Sequence, residues 1–240
     1  MILTDATWEK RNLGVSCQEL TIEHTDNLNE VMEHLHALEA GYQVIKVPAG
    51  MTDIMFGLEE QGFHFIETSI HVLHNLAIDN MNSILKRMND SISYERMNQE
   101  DLKEMYEKID QGMFYTDRIF LDEKLHDRAA YRYKCWLNDE IQKGTEIFKY
   151  IYKDKVIGFF SFKEIEDGVY YPFLAGIYKD FQHLPFGMVY VYKPIIEAKK
   201  RNGKMISTYI STNNPNAMRM HVDAGFTIKE VTYVYIKHAG

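Results

Sequence analysis

The sequence predicts a mixed α/β fold whose sheet is mostly antiparallel and flanked by helices, and three observations carry that expectation. First, residues 147–153, 156–165 and 169–178 are adjacent segments rich in β-branched and aromatic residues, broken only at Asp154-Lys155 and Glu166-Asp167-Gly168. Segments joined by such short turns pair antiparallel. Second, the last of them runs into a strand–loop–helix–strand unit over 169–211, an alternation that lays helices on a sheet. Third, the chain repeats an ending. Leu58-Glu59-Glu60-Gln61-Gly62-Phe63-His64-Phe65-Ile66-Glu67 aligns without a gap on His221-Val222-Asp223-Ala224-Gly225-Phe226-Thr227-Ile228-Lys229-Glu230, with Gly-Phe and the final Glu coinciding. Residues 41–47 likewise resemble 203–209. Each half, 1–90 and 91–240, is expected to close with strand, short helix, glycine, strand. An internal duplication and a chance recurrence of that common unit both account for the match.

Taken in order, strands are expected at 15–23, 42–48 and 63–74, with helices at 26–40 and 51–61 between them. Gly62 and Gly225 suit helix C-caps in the left-handed conformation. Residues 75–91 are polar and are expected as a helical connector. A strand at 92–96 opens the second half, followed by a helix at 99–110 and a long aromatic loop at 111–126. The next helix, 127–142, places Ala130, Tyr133, Trp136, Leu137 and Ile141 on one face. After the three strands come a helix at 188–201, a strand at 205–211, a short helix, and a last strand opened by Gly225-Phe226.

At 240 residues the chain is long enough to bury a full core. A hydrophobic content of 45% with 26% charged residues is that of a globular protein. No apolar run approaches the roughly 18 residues of a membrane span, and the N-terminus lacks a basic head and apolar stretch. Neither a membrane partner nor a signal peptide is expected. Cys17 and Cys135 show no paired-thiol spacing, which argues for a reducing, cytoplasmic location. A net charge of −8 argues against a general nucleic-acid binder. The basic run Lys199-Lys200-Arg201, with Lys204, reads either as a solvated helix end or as a phosphate contact. No metal is expected: His34 and His36 point apart on a helix, and His71 and His74 face opposite sides of a strand. The serines lack a Gly-x-Ser-x-Gly elbow, so a hydrolase is unsupported.

The loop between the strand ending at Tyr178 and the helix opening near Met188 is the candidate site. Strand, loop and helix N-terminus bring unpaired backbone N–H groups and the positive end of the helix dipole to one place, a device for gripping a pyrophosphate. The run Ile177-Tyr178-Lys179-Asp180-Phe181-Gln182-His183-Leu184-Pro185-Phe186-Gly187 resembles the signature Val-x-Pro-x-x-(Arg/Gln)-x-x-Gly-x-(Gly/Ala) of the Gcn5-related N-acetyltransferase (GNAT) superfamily. Gln182 and Gly187 match it. Ala198, Gly203, Asn214, Ala217 and Gly225-Phe226 resemble the blocks that follow. Within the superfamily, Trp8-Glu9 with Leu13-Gly14, and Asp117-Arg118-Ile119-Phe120-Leu121-Asp122 with Tyr133 and Trp136, are similar to the TDP-fucosamine acetyltransferases, which N-acetylate nucleotide-linked amino sugars.

That resemblance implies acetyl-CoA as co-substrate, no metal, a small-molecule amine as acceptor, and a homodimer as the assembly to look for. It implies donor binding by Ala175, Gly176, Ile177, Tyr178, Gln182, His183, Leu184, Phe186, Gly187, Met188, Asn213, Asn214 and Ala217. A backbone N–H between Leu174 and Ile177 would polarise the acetyl carbonyl, with Gly176 allowing a bulge. Two positions depart from the pattern. Pro185 replaces the central glycine of the cradle, removing one donor and leaving the amides of Leu184, Phe186, Gly187 and Met188. His221 stands where many relatives carry the tyrosine that protonates the leaving thiolate. It is either that acid or a packed helix residue, with Tyr209 and Tyr178 as alternatives and Asn214 as a further catalytic candidate. No carboxylate stands out as the base: Glu164, Glu166, Tyr170 and Tyr171 are the candidates, acting through water, and the two glutamates read alternatively as solvated turn residues. Acceptor recognition falls to Tyr115, Asp117, Arg118 and Tyr171. Arg118 meets either a substrate phosphate or, internally, Asp117 or Asp122. The acceptor is a nucleotide-linked amino sugar, an amino acid, a peptide or an antibiotic amine. The rival expectation is a non-catalytic CoA- or ligand-binding module, its cradle disabled by Pro185.

Overall fold

The computed structural model describes residues 1–77 and 81–239. The first half comprises β1 (Ile2–Asp5), α1 (Thr7–Leu13), β2 (Cys17–Thr21), α2 (Leu28–His36), β3 (Tyr42–Pro48), α3 (Thr52–Glu60), β4 (His64–Asn75) and α4 (Ser83–Asp90). The second comprises β5 (Ser93–Arg96), α5 (Gln99–Asp110), α6 (Arg118–Leu121), α7 (Ala129–Gln142), β6 (Glu146–Tyr152), β7 (Lys155–Glu166), β8 (Val169–Tyr171), β9 (Ala175–Ile177), α8 (Val189–Lys200), β10 (Met205–Ser211), α9 (Pro215–Asp223) and β11 (Thr227–His238). Among the described residues no helix is long and apolar enough to cross a membrane.

The expected fold class holds: the strands make one mixed sheet, mostly antiparallel, with helices on both faces. Several elements differ from expectation. β1 and α1 precede the first expected strand. Four residues of the expected loop at 111–126 coil into α6, because Asp117 caps that turn by accepting from the amides of Ile119 and Phe120 at 3.0 and 3.2 Å. The expected connector at 75–91 contains α4, while residues 78–80 lie outside the described residues. The turn before β7 centres on Lys153-Asp154, both at positive φ, one position earlier than expected.

The expected single strand at 169–178 is two strands. Pro172 has no N–H to give the ladder, so the chain leaves β10 there. Thr208 Oγ1 donates to Pro172 O at 3.2 Å, the last tie between the two segments. β8 pairs with β7 and, in parallel, with β10, whereas among the described residues β9 pairs with β7 alone. The irregularity thus sits at 172–174 and not at Gly176.

The two halves exchange strands. The sheet runs β1-β2-β3-β11-β4-β10-β8-β7-β6-β5, so β11 of the second half lies between β3 and β4, and β4 of the first lies between β11 and β10. Each exchanged strand is launched by the same cap: Gly62 and Gly225 both have positive φ, at 77° and 89°. The next amide then returns to the helix, Phe63 to Leu58 O and Phe226 to His221 O, at 2.9 and 3.0 Å. Leu58 and His221 are aligned positions of the repeated ending.

Alternation along the strands sorts side chains between two layers. On one face, Ile45 and Val47 pack under α2 and α3, and Ile70, Val72, Ile206 and Ile210 pack under α8. On the other, Tyr42, Val44 and Ile236 meet α1 and α6, and Ile147 and Phe159 meet α5 and α7. Each such buried aliphatic side chain contributes about 1.5–3 kcal/mol. Between α6–α7 and the middle of the sheet the second face turns polar.

Candidate active site

Where β9 and β10 part, the sheet is pierced. A cleft of about 1140 Å³ is lined on the α8 side by Leu184, Gly187, Met188, Tyr190 and His221, and on the α6–α7 side by Arg118, Arg132, Trp136, Glu67 and Tyr209. Its middle is the free edge of β9. Tyr178 N–H donates to Ile157 O at 2.8 Å, so the antiparallel ladder turns the N–H groups of Ala175 and Ile177 away from β7 and into the gap. Leu174 N–H is committed to Ser161 Oγ at 2.9 Å and drops out as a donor. Gly158 lets β9 come this close to β7, since a Cβ there would lie 2.2 Å from Gly176 O. Gly176 itself is covered by the loop after α5, with Met113 Cε 2.7 Å from the position of a Cβ.

The helix-terminal cradle is partly self-occupied. Leu184 N–H donates to Phe181 O and Phe186 N–H to Leu184 O, at 3.0 and 2.8 Å, so two of the four amides expected to stay free are used within the loop. The N–H groups of His183, Gly187 and Met188 make no backbone hydrogen bond among the described residues. Gly187 and Met188 line the cleft immediately before α8, where unpaired amides and the helix dipole favour an anion. Gln182 Nε2 bridges Ile177 O and Met113 O at 3.0 and 3.1 Å, tying the cradle to the edge strand. Tyr178 offers neither amide nor side chain: its amide is paired and its buried ring packs in the cluster under α5 and α7. Phe186 is buried against Tyr152.

Other expected residues are structural. Asn214 caps α9, its Oδ1 accepting from Ala217 N at 3.0 Å, and Asn213 Nδ2 donates to Ile66 O at 3.2 Å. Glu164 closes a turn by accepting from Gly168 N, and Tyr170 stacks on Phe162. His221 Nδ1 donates to Ala217 O at 2.8 Å, which leaves Nε2 as the bare nitrogen. Burial pushes its pKa down to about 4, against the opposing pull of that carbonyl. At neutral pH it is an uncharged ring packed on Phe226, not a proton donor. Tyr190, on the first turn of α8, lines the cleft near His221, and burial pushes its hydroxyl up to about 12. Tyr209 lines the far side, stacked on His71 at 4.4 Å.

On the acceptor side Tyr115, Asp117, Arg118 and Tyr171 all line the cleft. The internal partner of Arg118 is neither Asp117 nor Asp122 but Glu19 on β2, at 2.7 Å. Asp122 instead binds His238 Nε2 at 2.9 Å. Burial alone would raise the Glu19 carboxyl, but Arg118 and Lys46 overcome this and hold it down to about 2. Arg132 pairs with the buried Glu9 at 2.6 Å, so α1 and β2 of the first half fix both arginines. The run after α8 is also paired: Arg201 with Glu146 and Glu197, Lys204 with Asp167. Among the described residues no group of three His, Cys, Asp or Glu side chains is placed to hold a metal. His71 and His74 bond Ser207 Oγ and Ala224 O.

Sequence reasoning missed Tyr190, Arg132, Gly158 and Glu67. For Glu67 a signal existed: Glu67, Ser69 and His71 put polar groups at every second position of a strand otherwise rich in Ile, Val and Leu.

No known family profile matches the sequence, and no curated protein does. Solved structures do match the fold. A functionally unknown conserved protein from Staphylococcus epidermidis aligns with a TM-score of 0.60 and 12% identity, over 94% of this chain and 84% of its own. The GCN5-related N-acetyltransferase from Sphaerobacter thermophilus gives 0.58 and 12%, over 87% of this chain and 64% of its own. A tandem GNAT protein from the clavulanic acid biosynthesis pathway gives 0.54 and 11%, over 88% and 68%. At such identities the likeness establishes the fold: the chain has a GNAT-type architecture of two joined halves.

Proposed function

We propose that the protein is an N-acetyltransferase that moves an acetyl group from acetyl-CoA directly to a primary amine of a small molecule, with residues 91–240 as the catalytic half and 1–90 as a degenerate partner half. The observation that carries this reading is the opening through the sheet, which joins unpaired amides at the start of α8 to an unpaired strand edge. Gly187 and Met188 would hold the diphosphate, and Ala175 and Ile177 would face the acetyl carbonyl with N–H donors. Bringing two substrates to one gap supplies much of the rate by pre-ordering them. Tyr190 keeps its proton at neutral pH and is the better candidate for the proton given to sulfur; His221 orients the ring stack beside it.

A nucleotide-linked amino sugar is the acceptor class the sequence resemblance favours; amino acids, peptides and antibiotic amines are the alternatives. The test is calorimetric titration with acetyl-CoA, followed by thiol release over a panel of amines. Micromolar binding with amine-dependent thiol release is the expected result. A second reading, donor binding without transfer, draws support from the self-bonded amides of Leu184 and Phe186. Binding with no thiol release for any amine would favour it.

A further inference from the structure

The polar patch on the α6–α7 face of the sheet lies mostly on strands of the first half, apart from the residues proposed above to grip the donor. It contains Thr21, Lys46, Glu67, Ser69 and Thr232, all lining the same cleft. Resting on the reading above, we propose that Glu67 receives the ammonium group of the acceptor and takes its proton, and that the hydroxyl-lined recess around it selects an amine carrying several hydroxyl groups.

The geometry comes from the register. Ser69 pairs with Ser211 at the end of β10, the strand that walls the gap opposite β9. Glu67 lies two residues before Ser69 in β4, on the same face, and its carboxyl is hydrogen-bonded to the Ser211 side chain. The exchange of β4 into the second half is what brings this carboxylate beside the gap.

Glu67 is 8% exposed and, among the described residues, makes no salt bridge. Its charged neighbours are committed: Arg118 and Lys46 to Glu19, Arg132 to Glu9, and Asp117 to the cap of α6. A buried carboxyl left without a cation is costly when charged, and an incoming ammonium supplies the missing partner. Burial raises its pKa, against the influence of Arg118 and the Ser211 hydrogen bond, which makes it a stronger base than an exposed carboxylate. Thr21, Ser69, Ser211 and Thr232 bring hydroxyls to the recess, with Val234 opposite Glu67 as an apolar wall, a lining that offers a polyol hydrogen bonds that an alkyl chain cannot make.

The step balances. Glu67 takes one proton from the ammonium; the neutral nitrogen bonds to the acetyl carbon; the C–S bond breaks with its electron pair on sulfur. The second proton leaves the new amide nitrogen and ends on that sulfur.

The test uses Glu67→Gln and Glu67→Asp in the full chain, with acetyl-CoA as donor and glucosamine against n-butylamine as acceptors. Wild type should prefer glucosamine. Glu67→Gln should bind acetyl-CoA as wild type does yet lose about 10²-fold or more in turnover. It should also lose the acid limb of the rate profile, and Glu67→Asp should restore part of the rate with the limb moved. Equal turnover in Glu67→Gln, or donor binding with no preference for the hydroxylated amine, overturns the inference. Failure of wild type to bind acetyl-CoA overturns instead the reading on which it rests.

Discussion

Replacing Gly158 by alanine puts a methyl group into the backbone of β9. The new Cβ would stand 2.2 Å from Gly176 O and 2.9 Å from Ile177 Cα. Neither is the end of a flexible side chain, so β7 and β9 must part, and the N–H groups of Ala175 and Ile177 move with them. Overpacking of this kind costs about 1–3 kcal/mol. At about 2–4 °C per kcal/mol for a chain of this size, the melting midpoint should fall by roughly 2–12 °C. A displacement approaching 1 Å in the groups facing the reacting carbonyl should lower turnover by up to about 10²-fold. Thermal denaturation followed by circular dichroism and thiol-release kinetics read the two effects. Gly187→Ala is the control for stability, since its Cβ would meet Tyr190 Cε1 at 3.6 Å and Met220 Cε at 3.8 Å, ordinary contacts. It should melt within about 0.5 kcal/mol of wild type. A Gly158→Ala variant with wild-type midpoint and turnover would refute the role given to the β7–β9 approach.

Gly187→Trp should abolish acetyl-CoA binding by calorimetry while leaving the far-ultraviolet spectrum unchanged. Arg118→Ala leaves the half-buried Glu19 with Lys46 as its remaining cation and should cost about 1.5–3 kcal/mol in a urea titration at pH 7. Stability should also depend on His221: the folded ring stays neutral down to about pH 4, whereas the unfolded chain binds the proton near 6.5. As pH falls through that window the unfolded state gains a proton the fold does not, a loss of about 3 kcal/mol when complete. His221→Leu, the residue at the aligned position 58, should flatten that slope in urea titrations between pH 7 and 4.5.

Much of the fold was legible because local chemistry dictates it. The capping box at Asn98 and Asp101 sets α5 where expected, and the unbroken β-branched run sets β10. The repeated Gly-Phe ending was visible too. What local pattern did not give is where its strands go, because exchange of β4 and β11 is decided by pairing between residues more than 150 apart in the chain. The break at Pro172 was readable in principle, since a residue without N–H cannot serve a shared ladder. The cradle was located by its glycine and glutamine, yet the self-bonding of Leu184 and Phe186 depends on loop geometry that spacing does not encode. Arg118 shows the same limit: its charge was evident, but its partner Glu19 lies 99 residues away.

A crystal structure of the protein soaked with acetyl-CoA tests the central claim most directly. The account predicts the diphosphate against the amides of Gly187 and Met188, with the thioester carbonyl at the open edge of Ala175 and Ile177. Donor density outside the gap between β9 and β10, or a gap closed to it, would contradict the account.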